Sequence, residues 1–530
     1  MAGGSYGAGR DQEHIARLDQ AIERFATIYG ADNAPQPKTI FLFPGGMGSQ
    51  LMRSRTAYNQ PPYNYYLAWL ACNVILGEAR NLQLSPGGID HRQRYVVPDG
   101  AVDFVRVHPY ADFVQWCGRN WLHLFIFSWD WRRGIQDAAD LFLREFMPRF
   151  EARFTEAPHP LDDFSLVGHS AGGMVVKAIA NEASNPYVQR MKRAITVASP
   201  FYGSGGQLHK FLKGDPDINW TLGGLDANSS MASIISSMPG GYEFLYLDNG
   251  IYAANAAAFA HDPEGYHLPS YPSMDKDKPA EPADPYNPTD SGGKVRYPMS
   301  YGFSLPMLHD GLAASRKVST RLSGAVAAKF YNIRGVQAKN GARLRKTVVS
   351  SSWARVPPQF DADHDRDPIV DAFGWGDGVL PAWSTRLLGL PNPKQQVITI
   401  VDDLEHMTIM SRTSVQEALA GLLEMDLAET TFVEPMEAVV ATRNDLNKFL
   451  EGMRSRVMDK DRTFEERRKI IRDYLREFRT DDLHALFARA YNDALKSPSQ
   501  KVDEDEEPKA GDDKPSSGAP RSPRPRGKRR

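Results

Sequence analysis

Two cysteines, Cys72 and Cys117, are too few for a disulfide framework, and nothing near either has metal-ligand spacing. Both are expected as buried, reduced thiols. No apolar run approaches the length of a membrane span, and the opening stretch MAGGSYGAGRDQEHIARLDQ lacks the basic start and apolar core of a secretory leader. A soluble, cytoplasmic protein is expected, with leaderless export left open. Charge of one sign is also missing: 63 Lys and Arg stand against 65 Asp and Glu, a net charge of −2. That balance gives the whole protein no drive toward nucleic acid or anionic lipid, so any such contact must be local.

The chain has enough apolar material for a large core, with 42% hydrophobic residues, and at 530 residues it is too long for one compact domain without insertions or appendages. Residues 11–29 have the pattern of an amphipathic helix, and APQPK leads from it into the first strong strand, TIFLF (39–43). Further buried-strand runs are LHLFIF (122–127), FSLVG (164–168), AITVAS (194–199), AKFYNIRG (328–335) and QVITIV (396–401). Helical patterns stand between several of them, notably DAADLFLREFMPRFEARF and MVVKAIANEAS. This alternation predicts an α/β fold with a mostly parallel sheet covered on both faces.

The organisation that follows has an N-terminal helical extension and linker (1–37) and a core in two parts (38–206 and 326–425). An insertion (207–325), a charged helical region (426–496) and a tail (497–530) complete it. The insertion is rich in Gly, Pro, Ser, Tyr and Asn, with DKDKPAEPADPYNPTD as a polar loop; it reads equally as a lid and as a segment packed on itself. In the helical region, TFEERRKIIRDYLREFR opens with a capping-box pattern, Thr463 with Glu466. The tail lacks apolar residues and is expected to be disordered; its closing RPRGKRR leaves room for a transient contact with an anionic membrane surface.

The stretch DFSLVGHSAGGMVVKAIA carries the chemistry. Ser170 falls between an apolar run and a helical pattern, flanked by Gly168, Gly172 and Gly173, which predicts a strand-to-helix elbow with its hydroxyl exposed. A nucleophilic serine needs a base, an acid to orient that base and amide donors for the oxyanion. His406, in the loop after the last core strand, is the best-placed base; His123, His267, His309 and His364 are less well placed. Asp377, in the Gly376-Asp377-Gly378 turn, is the favoured acid, with Asp361, Asp363, Asp365, Asp367 and Asp371 left as positional alternatives. The oxyanion donors are assigned to the amides of Ala171 and, from FPGGMGSQL, Gly46, although an ordinary strand-to-helix turn explains those glycines equally well.

Several separated stretches together resemble one family. FLFPGGMGSQL resembles the PG-x-x-G-x-x-L opening of the lecithin:cholesterol acyltransferase and lysosomal phospholipase A2 family, FSWDWR its YDWR, LVGHSAGG its serine elbow and GDGVLPAWS its GDGTV acid turn. VASPFYGSG is similar to its GAPWGGS segment, and LEHMTIM to its terminal histidine segment. The resemblance implies an α/β-hydrolase with a cap, Ser170 as nucleophile, Asp377 as acid, His406 as base and the Gly46 and Ala171 amides as oxyanion hole. It implies a lipid ester as substrate, hydrolysed or transferred to an alcohol, with no metal or organic cofactor. It also makes Arg132 a buried ion-pairing group.

Two features of the family's extracellular members, a signal peptide and a disulfide-closed lid, are not expected here. The corresponding segment YNYYLAWLACNVILG, with Trp69 and a single Cys72, reads first as a core-facing helix. Two other readings remain: a soluble esterase for small esters, and a non-catalytic scaffold on the same fold whose protein partners the sequence does not identify.

Overall fold

A computed structural model describes residues 2–29, 38–69, 78–85, 88–102, 109–155, 159–207, 210–211, 228–245, 270–271, 281–282, 304–353, 369–427, 430–432 and 466. Six apolar runs become the parallel strands β1 (Lys38–Phe43), β2 (Leu122–Ile126), β3 (Phe164–His169), β4 (Arg193–Val197), β5 (Phe330–Lys339) and β6 (Val397–Asp402). Their order is β6-β5-β4-β3-β1-β2, all neighbours parallel. The direction of strand addition reverses around β1, and a reversal of this kind places a crevice at the carboxyl ends of the strands beside it. The loops leaving β1 and β3 therefore meet.

Side chains alternate across each strand, so a sheet buried on both faces needs two cores. On one face Phe41 and Phe43 pack into a cluster with Phe125, Leu166 and Phe330, covered by helix α1 (Ala2–Tyr29), the continuous helical stretch Ile135–Arg153 and α5 (Ala171–Asn181). On the other, Ile40, Leu42, Leu124, Val167 and Ile195 pack against α2 (Ala111–Arg119) and α7 (Thr413–Leu422). Ile135–Arg153 runs as α3 (Ile135–Leu141), a π-helical turn over Phe142–Phe146 and α4 (Met147–Arg153). That turn sets Phe142, Phe146 and the following Phe150 around Phe41 at ring separations of 5.6, 5.7 and 5.1 Å. This strand order, parallel sense and two-sided cover are those of the α/β-hydrolase fold.

Two placements differ from the sequence reading, and one antiparallel pair falls where the sequence reading assigned no element. The segment around Trp69 is not a helix where it is described: Tyr65–Trp69 is a strand, pairing with Ser49–Ser54, which also pairs with Val96–Ala101. Its aromatic residues suit a half-buried pleated surface, and the non-local partner decides its state. The acidic residues Asp361 to Asp367 fall in the chain between the two strands of an antiparallel pair, Arg345–Trp353 with Ile369–Trp375. The N-terminal helix begins at Ala2, well before residue 11.

Within the insertion, Leu305–Val318 forms α6, whose Leu308 and Leu312 are buried. Most of the remaining insertion, Cys72, Thr463 and the tail lie outside the described residues. Cys117 is a buried free thiol, and burial raises its pKa well above the ordinary value. Among the described residues no helix is long and apolar enough to cross a membrane.

Candidate active site

The elbow follows from the close approach of α5 to β3, where a Cβ on Gly168 would stand 2.5 Å from the Gly172 carbonyl oxygen, and to β1. A Cβ on Gly172 would stand 2.0 Å from the Phe43 carbonyl oxygen, a distance no side chain can occupy. Ser170, between strand and helix, has φ 54° and ψ −127°, a strained conformation for a residue with a side chain. Its amide is anchored to the Val197 carbonyl at 2.8 Å, while its hydroxyl is left at the helix N-terminus.

His406 comes from the loop after β6 and Asp377 from the turn after the Ile369–Trp375 strand. His406 Nε2 lies 2.9 Å from Ser170 Oγ, and His406 Nδ1 lies 2.7 Å from Asp377 Oδ2. The carboxylate can only accept, so Nδ1 carries the proton and Nε2 is free to accept one from the serine. Asp377 is fully buried, and its second oxygen accepts the Val379 and Leu380 amides at 3.1 and 2.7 Å. Gly378 N–H donates to Thr347 Oγ1 at 2.9 Å, which ties the turn to the hairpin beside it.

The loop after β1 is gripped mainly through its carbonyls. Trp129 Nε1 donates to Pro44 O at 2.8 Å, Trp69 Nε1 to Met47 O at 2.7 Å and Trp131 Nε1 to Ser49 O at 3.2 Å. The Gly45 amide is occupied by the Tyr110 hydroxyl at 2.7 Å. The Gly46 and Ala171 amides have no hydrogen-bond partner among the described residues. The two residues are neighbours, since a Cβ on Gly46 would contact the Ala171 Cβ at 3.5 Å and the Phe244 ring at 3.9 Å. Gly45 is the tighter position: a Cβ there would press on the Ser170 Cβ at 2.9 Å.

The structure thus brings Ser170, Asp377, His406, Gly46 and Ala171 to one place. His123 is buried in β2 and His309 is exposed on α6. Asp371 lies in the Ile369–Trp375 strand, while His267, His364, Asp361, Asp363, Asp365 and Asp367 fall outside the described residues. Arg132 is fully buried, with Nη2 at 2.8 Å from Asp90 and 2.7 Å from Asp130. Burial lowers its pKa, but the two carboxylates outweigh that and hold the guanidinium above its ordinary value. Among the described residues no group of three His, Cys, Asp or Glu is placed to hold a metal ion.

Sequence reasoning passed over Tyr110, His169 and Phe244. His169 was visible only as a letter of the elbow motif, and the other two carry no motif at all.

No family model matches the chain, and no curated protein sequence matches it. Solved structures do match. One is the crystal structure of the Tle4-Tli4 complex, at 13% identity and TM-score 0.45, over 74% of this chain and 99% of that one.

Proposed function

We propose that the protein is a serine hydrolase or O-acyltransferase that takes an acyl group from an ester, a lipid ester in particular, through an acyl-serine. One observation carries this reading: Ser170 Oγ, His406 and Asp377 form an unbroken chain of hydrogen bonds beside two amides that have no partner among the described residues. In the mechanism His406 Nε2 takes the Ser170 proton as Oγ attacks the ester carbonyl, and Asp377 holds the imidazole in the tautomer that can do so. The Gly46 and Ala171 amides, prefixed by the gripped loop and the α5 N-terminus, stabilise the tetrahedral oxyanion. His406 then returns the proton to the departing alcohol. Water or a second alcohol, activated by the same imidazole, releases the acyl group.

The lipid ester rests on the resemblance of the segments around 43–51, 127–132 and 376–384 to lipid-ester acyltransferases and phospholipases. Two exposed apolar side chains, Val379 and Met407, stand two residues and one residue after the acid and the base in the chain. A p-nitrophenyl ester series from acetate to palmitate, assayed with wild type and Ser170→Ala, tests both parts. Activity lost in the variant and rising with chain length supports a lipid esterase. An optimum at acetate supports the small-ester reading, and no activity on any member, in folded protein that also fails to label at Ser170 with a fluorophosphonate, refutes the enzyme.

A further inference from the structure

The groups that would hold the oxyanion and the group that would move the proton lie on different loops, and a catalytic site needs them in fixed relation. In this protein a buried hydrogen-bond chain joins them. The Gly45 N–H donates to Tyr110 Oη at 2.7 Å, and Tyr110 Oη lies 3.0 Å from His169 Nδ1. On the other side of the ring, His169 Nε2 lies 3.0 Å from the His406 carbonyl oxygen. Since a carbonyl can only accept, Nε2 carries the His169 proton. Nδ1 must then accept from the tyrosine hydroxyl, whose oxygen is left to receive the Gly45 amide.

Each link therefore has one proton order. Both Tyr110 and His169 are buried, and burial, with the His406 ring next, lowers the His169 pKa to about 3. The ring thus stays neutral and keeps an acceptor nitrogen for Tyr110. The amide that the Tyr110 hydroxyl holds is that of Gly45, the residue immediately before Gly46, and a Cβ on Gly46 would stand 3.5 Å from the Ala171 Cβ.

We propose that Tyr110 and His169 are positioning residues that lock the Gly45–Gly46 loop to the His406 loop, so that the oxyanion donors and the base are set by one continuous chain of hydrogen bonds. The inference rests on the function proposed above. Neither residue touches substrate; each acts through the backbone of a residue that does. Loss of either link lets one loop drift relative to the other while the substrate pocket remains.

The test uses the full chain with p-nitrophenyl esters and compares wild type, Tyr110→Phe, His169→Leu and the double variant. Each single variant keeps most of the buried volume, and Leu removes both the acceptor for Tyr110 and the donor to the His406 carbonyl; thermal denaturation beside the kinetics shows that each variant folds. Each is expected to lower kcat about ten- to a hundredfold, the range that small misplacement causes, with KM within about twofold of wild type. Because one chain is broken in both, the double variant should fall no more than about threefold below the weaker single, instead of by the product.

Selective ¹⁵N labelling of histidine adds a reading that needs no substrate. His169 should hold its proton on Nε2 and remain neutral at about pH 5. Multiplying effects, an unchanged kcat in either single variant, or a proton on Nδ1 would overturn the lock. An active wild type with silent variants refutes the lock alone. A wild type that neither turns over esters nor labels at Ser170 refutes the proposed function, and the positioning role with it.

Discussion

His406 and Asp377 are joined twice: Nδ1 to Oδ2 at 2.7 Å, and the His406 amide to the Asp377 carbonyl at 2.9 Å. The second bond fixes where the imidazole can be, and the first fixes how it is turned. An acid that holds both backbone and ring leaves the base little freedom before substrate arrives, which is what preorganisation requires.

The Asp377→Asn variant separates these two functions. Asn keeps an oxygen for the Val379 and Leu380 amides, so the turn should survive. Its amide group would face Nδ1 and force the proton to Nε2, leaving the ring unable to accept from Ser170. We expect kcat to fall by roughly 10⁴ with little change in melting temperature, as for loss of the acid from an equivalent triad. Steady-state kinetics beside thermal denaturation checks it.

Glu243 predicts a pH dependence of stability. It is buried where its Oε2 accepts the Ile135 amide at 2.8 Å, and burial raises its pKa from 4.5 to about 8, with Asp137 nearby adding in the same direction. The folded protein therefore keeps this proton between those values, while the unfolded chain has lost it. Stability is full below about pH 4.5 and declines as pH rises through about 8. Glu243→Gln, which retains an acceptor for Ile135, should flatten that decline and raise the melting temperature at pH 8.5 relative to wild type. Melting curves from pH 5 to 8.5 provide the comparison.

Arg132 predicts a stability cost away from the chemistry. Its guanidinium is fully buried between Asp90 and Asp130, so Arg132→Ala takes the nearer cation from two carboxylates and leaves Arg133, at 3.7 and 3.1 Å, facing them. Removing one partner of a buried ion pair costs about 3–5 kcal/mol. The denaturant midpoint should shift accordingly.

The central strands were legible because burial on both faces leaves unbroken apolar runs, such as IFLF in β1 and LFI in β2. The elbow was legible because only glycine fits where Gly172 meets Phe43. Tyr65–Trp69 was not: whether an aromatic-rich segment is helix or strand was decided by pairing with Ser49–Ser54, which no local pattern contains. The choice of Asp377 among neighbouring carboxylates depended on a family resemblance, and its contact with His406 is a property of the fold. The Tyr110–His169–His406 chain was beyond reading, since its links span 59 and 237 positions. Polar residues in a buried network leave no periodic trace.

The proposed chemistry depends first on the reactivity of Ser170. The measurement is intact-protein and peptide mass spectrometry after exposure to a fluorophosphonate, with wild type, Ser170→Ala and His406→Ala. We expect one adduct on wild type, mapped to the peptide bearing Ser170, none on Ser170→Ala, and strongly slowed labelling of His406→Ala. Folded wild type that stays unmodified, or that is modified at another residue, would contradict the assignment of Ser170 as nucleophile.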